Sequence, residues 1–128
     1  MTSVQFAFVK LVVRDLDAMS GFYQRALNLY PARRIDTDKI TGVIMRPKGE
    51  DACFCLVLYK PKDGREITTG NAHGPVGLYV TDADEAFENA ICEGAFPLQK
   101  PFNVASLRVA FVNDPEGHEL EFLARLPA

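Results

Sequence analysis

The sequence predicts an α+β protein built from two βαβββ modules in tandem. The first observation behind this is an internal repeat. FVKLVVRDLD (Phe8–Asp17) lies over PVGLYVTDAD (Pro75–Asp84) at an offset of 67 residues, with five of ten positions identical. The identities are Val9/Val76, Leu11/Leu78, Val13/Val80, Asp15/Asp82 and Asp17/Asp84. They alternate, so one face of a strand is kept while the other varies. The second observation is a match in the same order further on: CFCLVLY (53–59) lies over GHELEFL (117–123) at an offset of 64. Two matches in one order argue for duplication of a unit of about 60 residues.

Each module parses in the same way. A strand near 5–13 alternates apolar and variable positions. Asp15 or Asp17 supplies a helix N-cap, and Leu16, Met19, Phe22, Tyr23, Ala26 and Leu27 give one apolar face to a helix over 16–27. Asn28 ends it, because Asn tolerates the left-handed conformation. Strands are expected near 32–36, 39–46 and 52–60. In the second module the opening strand is 75–80. Asp82 and Glu85 have capping-box spacing. Ala83, Ala86, Phe87, Ala90 and Ile91 face inward on a helix that stops at Gly94. Strands follow near 95–99, 105–113 and 118–124, the last two joined by the turn Asn113-Asp114-Pro115-Glu116-Gly117. Residues 61–73 are polar, aperiodic and rich in Gly, which marks a linker. Residues 1–128 are then one domain of two modules, 1–60 and 74–128. Neither stands alone, because each leaves a sheet face uncovered.

Composition excludes several classes. Nine Phe and four Tyr among many Leu and Val exclude intrinsic disorder as the main state. A net charge of −3 argues against a general nucleic-acid binder. The apolar run Cys53–Tyr59 is too short to span a bilayer, so no membrane role is expected. The N-terminal residues lack the pattern of a secretory signal. Three cysteines are too few for a disulfide scaffold and read as small buried hydrophobes. A cytoplasmic location is the expectation. No Gly-rich phosphate loop, zinc-protease helix or Ser-His-Asp order is present.

Two stretches carry a family resemblance. DLDAMSGFYQRAL (Asp15–Leu27) and FVNDPEGHELEF (Phe111–Phe122) resemble signatures of the vicinal oxygen chelate superfamily, which holds glyoxalase I, extradiol dioxygenases, and fosfomycin- and bleomycin-resistance proteins. The resemblance implies that the modules form a cupped mixed sheet around a ligand cavity, and that the protein is a homodimer. It also implies a divalent metal on four inward side chains. At those positions this chain carries Phe8, Val57, Pro75 and Glu121. Only Glu121 can coordinate, and one carboxylate does not hold Zn²⁺, Ni²⁺ or Fe²⁺ with useful affinity. No cofactor is therefore expected, and a metal is disfavoured. His73 is a weak alternative ligand, two residues before Pro75, if the strand extends that far. His118, in the closing turn, is weaker still.

Strand alternation assigns faces. Phe8, Lys10 and Val12 share the cup face with Cys53, Cys55, Val57 and Tyr59; Pro75, Gly77 and Tyr79 share it with Glu119, Glu121 and Leu123. Val9, Leu11 and Val13 pack under the helix. Phe8, Val12, Val57, Tyr59 and Tyr79 would form an apolar and aromatic wall for a small organic ligand. Lys10 and Glu121 either orient its polar group or pair with each other. Arg46 and Arg108 are read as solvent-facing. Two function classes are left open: metal-free binding of an aromatic or amphipathic molecule, and a glyoxalase- or dioxygenase-like enzyme, lyase or oxidoreductase, with either a degenerate or unusual metal site or metal-free acid/base chemistry on Glu121.

Overall fold

Each half of the chain builds its own four-stranded sheet, and the two sheets share one plan. The structure is a computed structural model describing residues 2–49 and 54–128. Its first half contains β1 (Phe8–Val12), α1 (Leu16–Leu27), β2 (Leu29–Asp36), β3 (Ile40–Pro47) and β4 (Cys55–Pro61). Its second contains β5 (Val76–Tyr79), α2 (Ala83–Cys92), β6 (Phe96–Val104), β7 (Leu107–Asn113) and β8 (Glu119–Arg125). The strand orders are β1-β4-β3-β2 and β5-β8-β7-β6. In each sheet the first and last strands pair in parallel and the other neighbours are antiparallel. Val9 lies opposite Leu56 and Val76 opposite Leu120, so the offsets of 67 and 64 in the sequence are also offsets in the register. The chain divides into two compact units, the first ending at Ile67 and the second beginning at Thr68, with Arg25–Leu27 grouped with the second.

Local chemistry sets the helices as the sequence predicts. Asp15 caps α1 by accepting from the Ala18 N–H at 3.0 Å, and Asp82 caps α2 by accepting from the Glu85 N–H at 3.0 Å. Asn28 has φ 55° and ends α1 in the left-handed region. The α1 stripe of Leu16, Met19, Phe22, Tyr23 and Ala26 is buried, and the Ser20 hydroxyl donates to the Met45 sulfur at 3.6 Å. Leu11, Val13, Val43, Met45 and Leu58 complete that core. In the second unit Ala83, Phe87 and Ala90 of α2 are buried, together with Ala110, Val112, Leu120 and Phe122 of β7 and β8.

The strand limits differ from expectation where pairing decides them. β1 begins at Phe8 rather than near residue 5, because Phe8 pairs with Cys55, the first residue of β4. Ahead of it Val4 and Phe6 are 91% and 86% exposed. β2 starts at Leu29, immediately after the left-handed turn at Asn28. β6 continues through Pro97 and Pro101 to Val104, with register shifts between Pro97 and Gln99 and between Gln99 and Phe102. Proline lacks the ladder N–H, and an edge strand tolerates that loss through such irregularities. β4 extends one residue into the expected linker. Cys53 lies outside the described residues.

The turn after β7 is tied by one side chain. Asp114 is fully buried and accepts from the backbone N–H groups of Glu116 (3.0 Å) and His118 (2.9 Å) and from His118 Nδ1 (2.8 Å). Gly117 completes the turn at φ 98°. Replacing Asp114 by Ala removes these acceptors together and leaves buried donors unpaired. We expect Asp114→Ala to cost about 2–4 kcal/mol, read from urea unfolding; a loss below about 1 kcal/mol would show the turn held by other means.

Candidate functional site

In the first unit the face turned away from α1 carries a charge set on rings. Alternation along β1 and the parallel register put Phe8 opposite Cys55, Lys10 opposite Val57 and Val12 opposite Tyr59. The Lys10 ammonium lies 4.8 Å from the centroid of the Tyr59 ring and 5.4 Å from that of Phe8. Both distances are within cation–π range. No carboxylate among the described residues pairs with Lys10. Phe8 is half exposed, at 50%, whereas Val57 is 7% exposed and is a true packing residue.

Tyr59 also borders a cavity of about 390 Å³ whose lining includes Ile40, Pro61, Lys62 and Arg65. No local sequence pattern signals this cavity, because it forms where the β2–β3 hairpin meets the segment after β4. Lys39 is the third cation of the lining, and the other two are paired with acids. Lys62 Nζ donates to Asp36 Oδ1 at 2.7 Å and to the Thr37 carbonyl at 2.6 Å. Arg65 Nε donates to both Asp63 oxygens at 2.9 and 3.0 Å. That hydrogen bonding holds the Asp63 carboxyl down to about 2.

In the second unit Glu121 lies between Gly77 and Phe111 in register, and Tyr79 lies opposite Leu123. Glu121 is half-buried, and its carboxylate has no hydrogen-bond or ion-pair partner among the described residues. Tyr79 is 65% exposed, with the Arg125 guanidinium 4.4 Å from its ring centroid. The Phe111 and Phe102 rings stack at 6.4 Å. Arg125, Phe111 and Phe102 were not picked out from the sequence. The alternation Glu121, Leu123, Arg125 signals the first. Phe102 is hidden by the register shift in β6.

Several candidates sit elsewhere than expected. β5 starts at Val76, so His73 and Pro75 precede the strand, and His73 is exposed in the connecting segment. The His118 ring is engaged by Asp114. Arg108 is not simply solvent-facing: its Nε and Nη2 donate to Asp84 at 2.7 and 3.0 Å, tying β7 to the first turn of α2. This hydrogen bonding lowers the pKa of the Asp84 carboxyl. Arg46 is half-buried opposite Tyr30. Among the described residues no three or more His, Cys, Asp or Glu side chains gather as a metal group.

A family model described as the Glyoxalase/Bleomycin resistance protein/Dioxygenase superfamily matches residues 5–122. The chain belongs to this superfamily. A lactoylglutathione lyase of Neisseria meningitidis is 29% identical over 119 residues, spanning 90% of this chain and 86% of the relative. Glyoxalase I from Zea mays superposes with a TM-score of 0.84 at 22% identity over 97% of this chain. This chain spans only 46% of the length of the maize protein. A glyoxalase family protein from Bacillus cereus also gives a TM-score of 0.84, at 16% identity, covering 99% of this chain and 97% of its own. These two likenesses establish the fold.

The superfamily's usual metal does not fit the residues present. Val57 and Glu121 are equivalent by register, facing Lys10 and Gly77, but only one is a carboxylate. Phe8 and Pro75 offer no lone pair to a cation. The first unit thus contributes no donor at its two family positions. Restoring them tests the burial just described. Val57→Glu should cost about 2–4 kcal/mol, since it forces a carboxylate into a buried place. Phe8→His, at a half-exposed place, should cost under about 1 kcal/mol. Thermal unfolding of the two single variants without added metal compares them; equal losses would contradict the burial difference.

Proposed function

We propose that this superfamily member binds a small aromatic or amphipathic organic molecule without a bound metal. The observation that carries the reading is the donor inventory: Phe8, Val57 and Pro75 stand where the fold's metal chemistry needs lone pairs. Phe8, Tyr59 and Tyr79 are the aromatic surfaces for the guest, and Lys10 and Glu121 are its orienting charges. No helix among the described residues is long and apolar enough to cross a membrane, and a cytoplasmic location is part of the same proposal. Purified, untagged protein should contain well under one equivalent of divalent metal. It should show no glyoxalase or ring-cleaving activity when Ni²⁺, Zn²⁺ or Fe²⁺ is added. Stoichiometric metal, with turnover that disappears in Glu121→Ala, would overturn the proposal.

A second reading has its own support. The Neisseria relative is named lactoylglutathione lyase, and it aligns over 90% of this chain. In that reading Glu121, half-buried and without a hydrogen-bond partner among the described residues, takes a proton from the carbon beside a bound carbonyl and returns it to a neighbouring atom.

The proposal includes a homodimer. Phe96, Leu98, Phe102 and Val104 are exposed along β6, an edge strand of its sheet. An uncovered apolar edge favours a partner strand or sheet. Sedimentation at micromolar concentration should give about twice the chain mass of 14.2 kDa. A single species at the chain mass would remove the dimer from the proposal.

A further inference from the structure

We propose that Lys10 is an anion-recognising residue, and that the ligand's carboxylate sits in the first unit where the superfamily places its metal. This rests on the metal-independent reading above and specifies the chemical class of the guest: a planar aromatic acid. Three observations carry it. Lys10 lies directly opposite Val57, the position equivalent to Glu121. A carboxylate there would neutralise the lysine; valine cannot, and no carboxylate among the described residues does so. The ammonium also stands over two aromatic rings, at 4.8 and 5.4 Å. Ring faces favour the cation electrostatically without accepting its N–H groups in the way a carboxylate does. They hold it in place and leave its donors for a ligand. Finally, two of the three cations lining the nearby cavity have acid partners, Lys62 with Asp36 and Arg65 with Asp63. Lys10 differs from them in having rings instead of an acid.

The rings also select the rest of the ligand. Phe8 is half exposed and Tyr59 half-buried, so each offers a π-face beside the ammonium. A flat apolar body stacks on such faces while its acid group reaches Lys10. In charge terms the lysine takes the place of the metal's positive charge, and the ligand brings the negative charge that Val57 lacks.

Titration calorimetry of the full chain with 2-naphthoate and with the neutral isostere 2-naphthamide tests this. The acid should bind at least about tenfold more tightly. Its advantage should shrink as salt is raised from about 50 to 300 mM, because an exposed charge pair is screened. Lys10→Met, which keeps the apolar stem over the rings, should abolish the preference, and Lys10→Arg should retain it. Both variants should melt as the parent does, since Lys10 is exposed. Equal affinity for acid and amide, or an acid preference that survives in Lys10→Met, would overturn the assignment while leaving metal-independent binding intact. Binding of both probes that is lost on chelation would overturn the metal-independent reading itself. Failure of both probes to bind, with or without chelator, would count against the assignment of Lys10.

Discussion

Parallel pairing of the first strand of each unit with its last is the constraint on which the candidate residues depend. A parallel neighbour cannot be reached by a tight turn, so the chain must leave β1, cross over and return. Here the excursion is a helix and two antiparallel strands, and β4 comes back against β1. Register along that seam is not free. A slip by one residue would turn Leu11 and Leu58 out of the core and the charged Lys10 into it. Core burial therefore sets which residue of β1 stands beside which residue of β4. The same holds for Val76, Leu120 and Phe122 in the second unit, where it fixes Gly77 beside Glu121.

Much of this was legible in the sequence because the informative residues are local. Asp15 and Asp82 are N-caps whose side chains bond an N–H three residues on, and Asn28 is a C-cap. Alternation gave the faces of β1, β4, β5 and β8, and the resemblance to the superfamily was already visible in Asp15–Leu27 and Phe111–Phe122. The illegible parts depend on partners distant in sequence. The start of β1 is set by where β4 begins, which no residue near position 5 encodes. β6 runs through two prolines because it is an edge strand, a fact about topology rather than about its own residues. Arg108 reads as an exposed charge until α2 brings Asp84 to it. The same limit applies to Lys10: alternation places it on the right face, but only the fold puts the Tyr59 ring beneath its ammonium.

Likeness at the level of the superfamily separates fold from reaction. Proteins 16% and 22% identical to this chain superpose with TM-scores of 0.84. Such agreement needs only the seam, the caps and the core stripe, which many side-chain combinations satisfy. Metal coordination has no such tolerance. A ligand atom must carry a lone pair, and replacing one donor by Phe or Val removes it entirely. The same scaffold is then compatible with a changed site, because Phe8 and Lys10 contribute little to the core.

The two halves of this chain carry that separation internally. All five identities in the opening segment fall on core-facing apolar positions or on aspartates at the start of the helix: Val9, Leu11 and Val13, then Asp15 and Asp17. The alternate positions share nothing: Phe8 with Pro75, Lys10 with Gly77, Val12 with Tyr79. Each identical apolar residue lies on the side where a register slip or a cavity would cost stability. Along the strand, each differing residue lies on the side where the fold requires only a side chain that does no harm. The outcome is one face with a lysine over two rings and one with a glutamate between a glycine and a phenylalanine. A duplicated scaffold whose halves must agree in the core and need not agree elsewhere supplies two chemically different surfaces from one structural plan.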